Sequence, residues 1–125
     1  MCLTCKVGAY NKVLEELLKL NVPRWDIFLL FGPIDILVQF GGLKDMAEFV
    51  EKWFNPVRMI GGKEALITKT MTFVVVQEGP SYSEEPYAFM FLNVQPRNLE
   101  NVQQALLKVP EVISADIVFL SLIHI

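Results

Sequence analysis

The sequence predicts an α+β fold, in which an antiparallel sheet is built in the order β-α-β-β-α-β and is followed by a shorter β-α-β segment. Apolar stretches of strand length alternate with stretches in which apolar residues recur at helical spacing. Apolar residues make up 53% of the 125 residues, which is enough for a large core. The pattern then begins again after a polar, turn-rich stretch at residues 77–86.

The first strand and the first helix are predicted at the start of the chain. Met1–Val7 is mostly apolar and is followed by Gly8, which favours a strand that ends there. Tyr10–Leu20 carries one apolar stripe with charged residues on its other side, which is the pattern of an amphipathic helix. The stripe consists of Val13, Leu14, Leu17 and Leu18.

The next elements complete one repeat. Trp25–Phe40 is predicted to be a β-hairpin, because Gly32-Pro33 is a turn signal between two apolar runs. A second amphipathic helix is expected at residues 43–54, and Asn55-Pro56 should end it. Ile67–Val76, rich in Thr and Val, is the next strand. This order is the split βαβ arrangement of the ferredoxin-like fold.

The rest of the chain is predicted to be a second repeat that is cut short. Residues 1–76 form the complete repeat, 77–86 a linker and 87–119 the partial repeat. The strand, helix and strand of the partial repeat are expected at Tyr87–Val94, Leu99–Val109 and Val112–Phe119. Asp26-Ile27 recurs as Asp116-Ile117 at the corresponding place, which indicates an internal repeat.

Residues 120–125 are expected to be a non-native tail. Their sequence, Leu-Ser-Leu-Ile-His-Ile, is similar to what a common sequencing adaptor encodes when it is translated in frame. Segments of that kind are set aside before functional reasoning, so His124 is given no role. The alternative is that these residues extend the last strand.

Charge and hydropathy narrow the classes of partner. The net charge of −3 and the pI of about 5.1 are unlike those of a domain that grips nucleic acid, so we expect no direct binding to DNA or RNA. No apolar run reaches the roughly 18 residues of a membrane span, and no signal peptide is visible. The sequence therefore predicts a cytoplasmic protein that does not bind membranes.

The two cysteines, Cys2 and Cys5, form a C-x-x-C motif within the predicted first strand. Residues three apart on a strand point to opposite faces, so the two sulfurs should not meet. A zinc site would need a second pair of ligands, which the sequence does not offer upstream of His124. We therefore expect no metal, no cofactor and no catalytic residue, and interpret the cysteines as structural.

The strands predict assembly. Ile27–Phe31 and Ile36–Val38 are apolar throughout and do not alternate, so both faces of the sheet favour burial. Burying half a dozen large apolar side chains is worth on the order of 10 kcal/mol. We therefore expect the face without helices to be covered, by the second repeat and by self-association through sheet faces into an oligomer.

The sequence resembles the ligand-binding domain of the Lrp/AsnC family of prokaryotic transcription regulators over residues 1–76 and again over 87–119. The resemblance is carried by Lys6-Val7, the helix Lys12–Lys19, Trp25–Phe31, the string Gly32-Pro33-Ile34-Asp35-Ile36-Leu37-Val38, the helix Leu43–Phe54 and the strand Thr68–Val76. It implies a ferredoxin-like fold that pairs sheet to sheet. It also implies that small effectors, commonly amino acids, bind at subunit interfaces near the Gly-x-x-Asp hairpin.

By that resemblance, Gly32 and Asp35 are the predicted ligand-binding residues. Gly32 would allow the tight bend of the hairpin. Asp35 would place a carboxylate beside an interface, where it can accept hydrogen bonds from an effector's ammonium group or from backbone N–H groups; alternatively, it only stabilises its own turn. The sequence departs from the family at Ile34, where an aromatic residue is common, and has no helix-turn-helix before Met1. The expected function is effector binding and oligomerisation without a DNA-binding domain of its own.

Three other functions compete with this one. A dimeric α+β barrel enzyme would need convergent polar groups, and a cavity lined by Lys6 and Gln39 in the assembled oligomer would favour it. A pure assembly scaffold would associate without an effector. An amino-acid sensor of the ACT type has the same topology, and the sequence hardly separates it from the favoured function.

Overall fold

The computed structural model of the chain describes residues 1–77, 79 and 85–124, and forms a mixed α+β fold around a five-stranded sheet. The strands are β1 (Cys2–Cys5), β2 (Ile27–Leu29), β3 (Ile36–Val38), β4 (Ile67–Gln77) and β5 (Ile117–His124). The α-helices are α1 (Tyr10–Lys19), α2 (Met46–Phe49), α3 (Asn55–Arg58) and α4 (Leu99–Leu107). None of the helices in these residues is long and apolar enough to cross a membrane.

The sheet has the strand order β2-β3-β1-β4-β5. β1 lies between β3 and β4 and pairs antiparallel with both, so that Leu3 stands opposite Ile36 on one side and Thr70 on the other. β2 pairs antiparallel with β3, from Ile27 opposite Val38 to Leu29 opposite Ile36. These pairings form the hairpin that the sequence predicts, although both of its strands are shorter than predicted.

The helices α1, α2 and α3 pack against one face of this sheet. The buried residues of that core come from β1, β2, β3 and all three helices, and include Leu3, Val13, Leu17, Ile27, Ile36, Val38, Phe49 and Val57. The amphipathic stripe of α1 explains its position, because Val13 and Leu17 lie one helical turn apart and are completely buried. The core therefore holds the ends of the short strands β2 and β3 in place.

The second helical segment continues further than the sequence predicts. Asp45 caps α2 by accepting a hydrogen bond from the Glu48 N–H, and Val50–Phe54 then forms a π-helical turn. Helical structure continues through Asn55-Pro56 to Arg58 as α3, so the prediction that Asn55-Pro56 ends the helix is wrong. A proline lacks an N–H and crowds the carbonyl four residues earlier, and the wider π turn accommodates both effects.

Two strand predictions in the last third of the chain are also wrong. Residues 85–95 contain no helix or strand, so no strand forms at Tyr87–Val94. The run is apolar, but it pairs with none of the five strands, whose order is β2-β3-β1-β4-β5. The strand predicted at Val112–Phe119 begins instead at Ile117. The Ala115 carbonyl, two residues earlier, accepts a hydrogen bond from the Gln103 side chain and is not paired with a strand. β5 then continues through Leu120–His124.

The chain separates into two compact units. The first contains Met1–Thr72 together with the described part of residues 120–125, and the second contains the described residues of Phe73–Phe119. In the second unit, α4 is held by a hydrogen bond from its buried Gln103 side chain to the Ala115 carbonyl. The boundaries predicted at residues 76 and 86 rest on repeat similarity, and most of the predicted linker lies outside the described residues.

Candidate functional site

The predicted site residues lie in the loop that joins β2 to β3. The Leu30 N–H donates to the Asp35 carbonyl at 2.8 Å and closes this loop. Gly32 is exposed, its φ is not in the left-handed region, and a Cβ there would meet no atom within 4 Å. The backbone of this bend therefore does not require glycine at position 32, and the prediction that Gly32 contacts a ligand stays a prediction.

Asp35 connects the loop to the neighbouring strand. Its Oδ2 accepts a hydrogen bond from the Cys5 N–H at 2.7 Å, and its own N–H donates to the Leu3 carbonyl at 2.9 Å. The Cys5 N–H needs this partner because the pairing of β1 with β4 shifts register between Thr4 and Cys5. Asp35 thus accepts a backbone N–H, as its position predicts, but from β1 instead of its own turn.

The negative charge of Asp35 contributes to the pKa shifts of two neighbouring side chains, Cys5 and Tyr10. Partial burial, with a further contribution from the Asp35 carboxylate, raises the pKa of Cys5 to about 11. Burial and the Asp35 charge also raise the pKa of Tyr10, while Arg24 opposes this. Burial is the larger cause in both cases, and the negative charge of Asp35 adds to it by disfavouring a thiolate or phenolate nearby.

The loop belongs to one end of the sheet, which we call the hairpin end and define by Val7 and Phe31–Asp35. These residues share an end because β1 runs antiparallel to β3, so that the residues after β1 lie beside those before β3. Phe31 is 107% exposed and Val7 is 106% exposed. Two fully exposed apolar side chains beside a tethered carboxylate make this end a candidate contact surface.

The centre of the other face of the sheet is buried in the single chain. Cys2 stands opposite Leu37 and Met71, on the face away from the core. Cys2 is 2% exposed and Leu37 is 9% exposed in the single chain. The exposed large apolar residues of the first unit include Val7 and Phe31 at the hairpin end, and also Leu18, Trp25 and Met59.

The two cysteines are both free thiols. Cys5 packs beside the core cluster, whereas Cys2 lies on the opposite face of β1. The alternation along a strand therefore separates them, as the sequence predicts. Burial raises the pKa of Cys2 as well, so neither thiol is primed as a nucleophile.

The polar residues considered for an enzyme do not converge. Lys6 follows β1 and its Nζ donates to the Glu64 carbonyl, while Gln39 follows β3 at the opposite end of the sheet. Thr70 and Thr72 are buried, and their hydroxyls have no hydrogen-bond partner among the described residues. Within the same residues, no group of three His, Cys, Asp or Glu side chains is placed to hold a metal ion.

Two clefts lie elsewhere in the described residues. One, of about 280 Å³, is in the first unit at the end of the sheet opposite the hairpin end, where Asp26, Gln39, Phe40 and Trp53 are among its lining residues. The other, of about 310 Å³, is in the second unit beside the start of α4. Sequence analysis did not single out the first cleft, since Asp26 and Trp53 come together only after β2, β3 and the helical segment have packed.

His124 lies at the end of β5, and its ring is 6.3 Å from that of Phe54 in an edge-on arrangement. A ring contact of this kind is a packing interaction and assigns the side chain no chemistry.

Comparison with protein-family models, with curated proteins and with solved structures finds no match to this chain. The functional argument therefore depends on the geometry described above.

Proposed function

We propose that this chain is a small-molecule effector-binding and self-association module, built on a ferredoxin-like fold and resembling the ligand-binding domain of Lrp/AsnC regulators. The support for the fold is the order β2-β3-β1-β4, with helical connections after β1 and after β3. That order is expected for a split βαβ unit. In this proposal the effector is a small molecule with an ammonium group, such as an amino acid.

The observation that carries the proposal is the state of the Asp35 carboxylate. Its Oδ2 is fixed by the Cys5 N–H, while its Oδ1 forms no hydrogen bond with any described residue. A carboxylate held in one orientation loses little freedom when it accepts a second hydrogen bond, so binding an ammonium group there is favoured. The exposed neighbours Phe31 and Val7 offer apolar contact to an effector or to another copy of the chain.

A thermal-shift screen of amino acids and related amines tests effector binding. A ligand present at about 100 times its Kd should stabilise the protein by about 2.7 kcal/mol. Asp35→Asn should remove that stabilisation, because it keeps the shape of the side chain and removes the charge that pairs with the ammonium group. Glu51→Gln removes an equal charge from an exposed helical position and serves as the matched control.

Retention of the full ligand-induced shift in Asp35→Asn would place the effector elsewhere and contradict this part of the proposal. If no amine raises the melting temperature while the protein still self-associates, the assembly scaffold is favoured. In the single chain Lys6 and Gln39 lie at opposite ends of the sheet, so the barrel-type enzyme would need a cavity that forms in the assembled oligomer.

Self-association is proposed to use the hairpin end. Burying a fully exposed Phe side chain stabilises an interface by roughly 1.5–3 kcal/mol, and a symmetric dimer contains that side chain twice. Light scattering at micromolar concentration should give the mass of an oligomer, and Phe31→Ser should lower that mass to the monomer value. Trp25→Ser is the control, because Trp25 is 78% exposed but lies just before β2, away from the hairpin end. A monomeric wild type contradicts self-association.

A further inference from the structure

The cleft at the other end of the sheet has the features of a second binding site. We call it the Trp53 cleft and define it by Asn21, Asp26, Gln39, Phe40 and Trp53. Backbone hydrogen bonds fix its rim: the Asp26 N–H donates to the Pro23 carbonyl at 3.0 Å, and the Gln39 N–H donates to the Asp26 carbonyl at 2.9 Å. The cleft is therefore formed by the ends of the two hairpin strands and not by a loose surface loop.

One wall of the Trp53 cleft is aromatic. The rings of Phe40 and Trp53 have centroids 5.0 Å apart with an interplanar angle of 35°, and Phe49 packs edge-on against Phe40 at 5.4 Å. Both Phe40 and Trp53 are partly buried and pack against the core cluster. Aromatic faces held in this way attract cations as well as apolar groups.

The other wall carries a carboxylate without a partner. The Asp26 carboxylate forms no hydrogen bond or ion pair with any described residue, and the nearby Arg24 instead donates to the Ile27 carbonyl at 2.9 Å. Asp116 stands before β5 as Asp26 stands before β2, and its carboxylate accepts the Gly79 N–H at 2.9 Å. Asp26 has no such donor among the described residues and is one of the residues that line the cleft.

These features together select a class of ligand. A partly buried carboxylate attracts a cation, the aromatic wall stabilises the same charge and contacts apolar groups, and the polar residues Gln39 and Asn21 also line the cleft. The negative charge of Asp26 disfavours an anionic ligand. A volume of about 280 Å³ is at the lower end of ligand pockets, so the ligand is small.

We propose that the Trp53 cleft binds a small primary amine, whose ammonium group pairs with the Asp26 carboxylate and whose carbon chain lies against Phe40 and Trp53. This site is separate from the hairpin end and does not depend on the function proposed for Asp35. The Lys52 ammonium group, 5.6 Å from the centroid of the Trp53 ring, is a competing cation from the chain itself.

Tryptophan fluorescence tests this proposal directly. The chain has two tryptophans, so Trp25→Phe leaves Trp53 as the only reporter. Titration of that variant with cadaverine or phenethylamine should change the fluorescence in a saturable way, while 1-pentanol and valerate should not. Adding Asp26→Asn should weaken binding by about tenfold or more, as expected for loss of a charge-assisted hydrogen bond. Lys52→Gln should strengthen binding by removing the competing cation.

Glu15→Gln is the matched control, because it removes a carboxylate from an exposed position of α1 that does not line the cleft and should leave the titration unchanged. Circular dichroism of each variant checks that it is folded, and Asp26→Glu should retain part of the binding. The proposal is overturned if no amine binds with a Kd below about 10 mM. It is equally overturned if the alcohol binds as well as the amines, or if Asp26→Asn binds as tightly as the parent.

Discussion

At the scale of single residues, Cys5 links the hairpin end to the pH dependence of stability. Its pKa is raised from 9.0 to about 11, first by burial and then by Asp35. A pKa that is higher in the folded state stabilises the fold below pH 9.0, and that stabilisation is lost as the pH rises toward about 11. Urea unfolding at pH 8 to 11 should therefore show a loss of stability that Cys5→Ser lacks. Equal pH profiles for the two proteins would contradict this assignment.

Thr70 offers a second prediction at this scale. Its hydroxyl is buried and has no hydrogen-bond partner among the described residues. Thr70→Val replaces the hydroxyl by a methyl group of similar size and should raise the free energy of unfolding by about 1–3 kcal/mol. Thr68→Val is the control on the same strand, because the Thr68 hydroxyl donates to the Thr4 carbonyl at 3.1 Å and should not be improved by valine. Chemical denaturation compares both variants; destabilisation by Thr70→Val would contradict the prediction.

Sequence analysis identified Asp35 but not its partner. A carboxylate beside a turn signal is visible in the sequence, whereas the Cys5 N–H lies 30 residues away and depends on how β1 aligns with β3. The Trp53 cleft could not be predicted for the same reason, because Asp26 and Trp53 come from separate elements of the fold. Local chemistry is readable from sequence; contacts set by strand register are not.

At the scale of elements, the loop before β4 depends on a glycine. Gly61 has φ +86°, and a Cβ there would lie 2.5 Å from Leu66 Cγ, whereas Gly8 has φ +82° and open space around it. Gly8→Ala should cost only the backbone strain of about 1–2 kcal/mol. Gly61→Ala should cost about 1–3 kcal/mol more, because the buried Leu66 must move. Urea midpoints measure the difference, and equal losses in the two variants would contradict a steric role for Leu66.

The elements themselves show what local pattern can decide. The helix α1 was predicted to within one residue, since its apolar stripe and its end signals agree. The prediction failed at Pro56, because the rule that proline ends a helix does not include the π turn that accommodates it. It failed again at Tyr87–Val94, because apolar composition alone does not establish a strand and these residues pair with none of the five strands.

At the scale of the whole molecule, the second unit contains an open stretch that a protease can reach. Residues 85–95 contain no helix or strand, and Tyr87 is fully exposed. Chymotrypsin should therefore cut after Tyr87 before it cuts after Phe49 or Phe54, which are buried in helical turns. Mass spectrometry of early fragments identifies the first cut, and Tyr87→Ser should delay it. First cleavage at Phe49 would indicate that the first unit opens more readily than this stretch.

The overall class of the molecule was predictable because it depends on the order of apolar segments, which tertiary contacts do not change. An α+β fold with an antiparallel sheet follows from that order. The division into units was harder to predict. The contact-based boundary falls within β4, between Thr72 and Phe73, where the sequence carries no change in composition.

The π-helical turn Val50–Phe54 has a consequence for changes in chain length. Removing one residue from a regular α-helix rotates everything beyond it by about 100°, which takes buried side chains out of the core. A π turn already holds one residue more than the α-helix needs, so deleting one residue there restores the regular spiral and keeps Phe49 and Val57 facing the core. Pro56 opposes the tighter spiral, so a shortened homologue of this chain is expected to carry a different residue at that position.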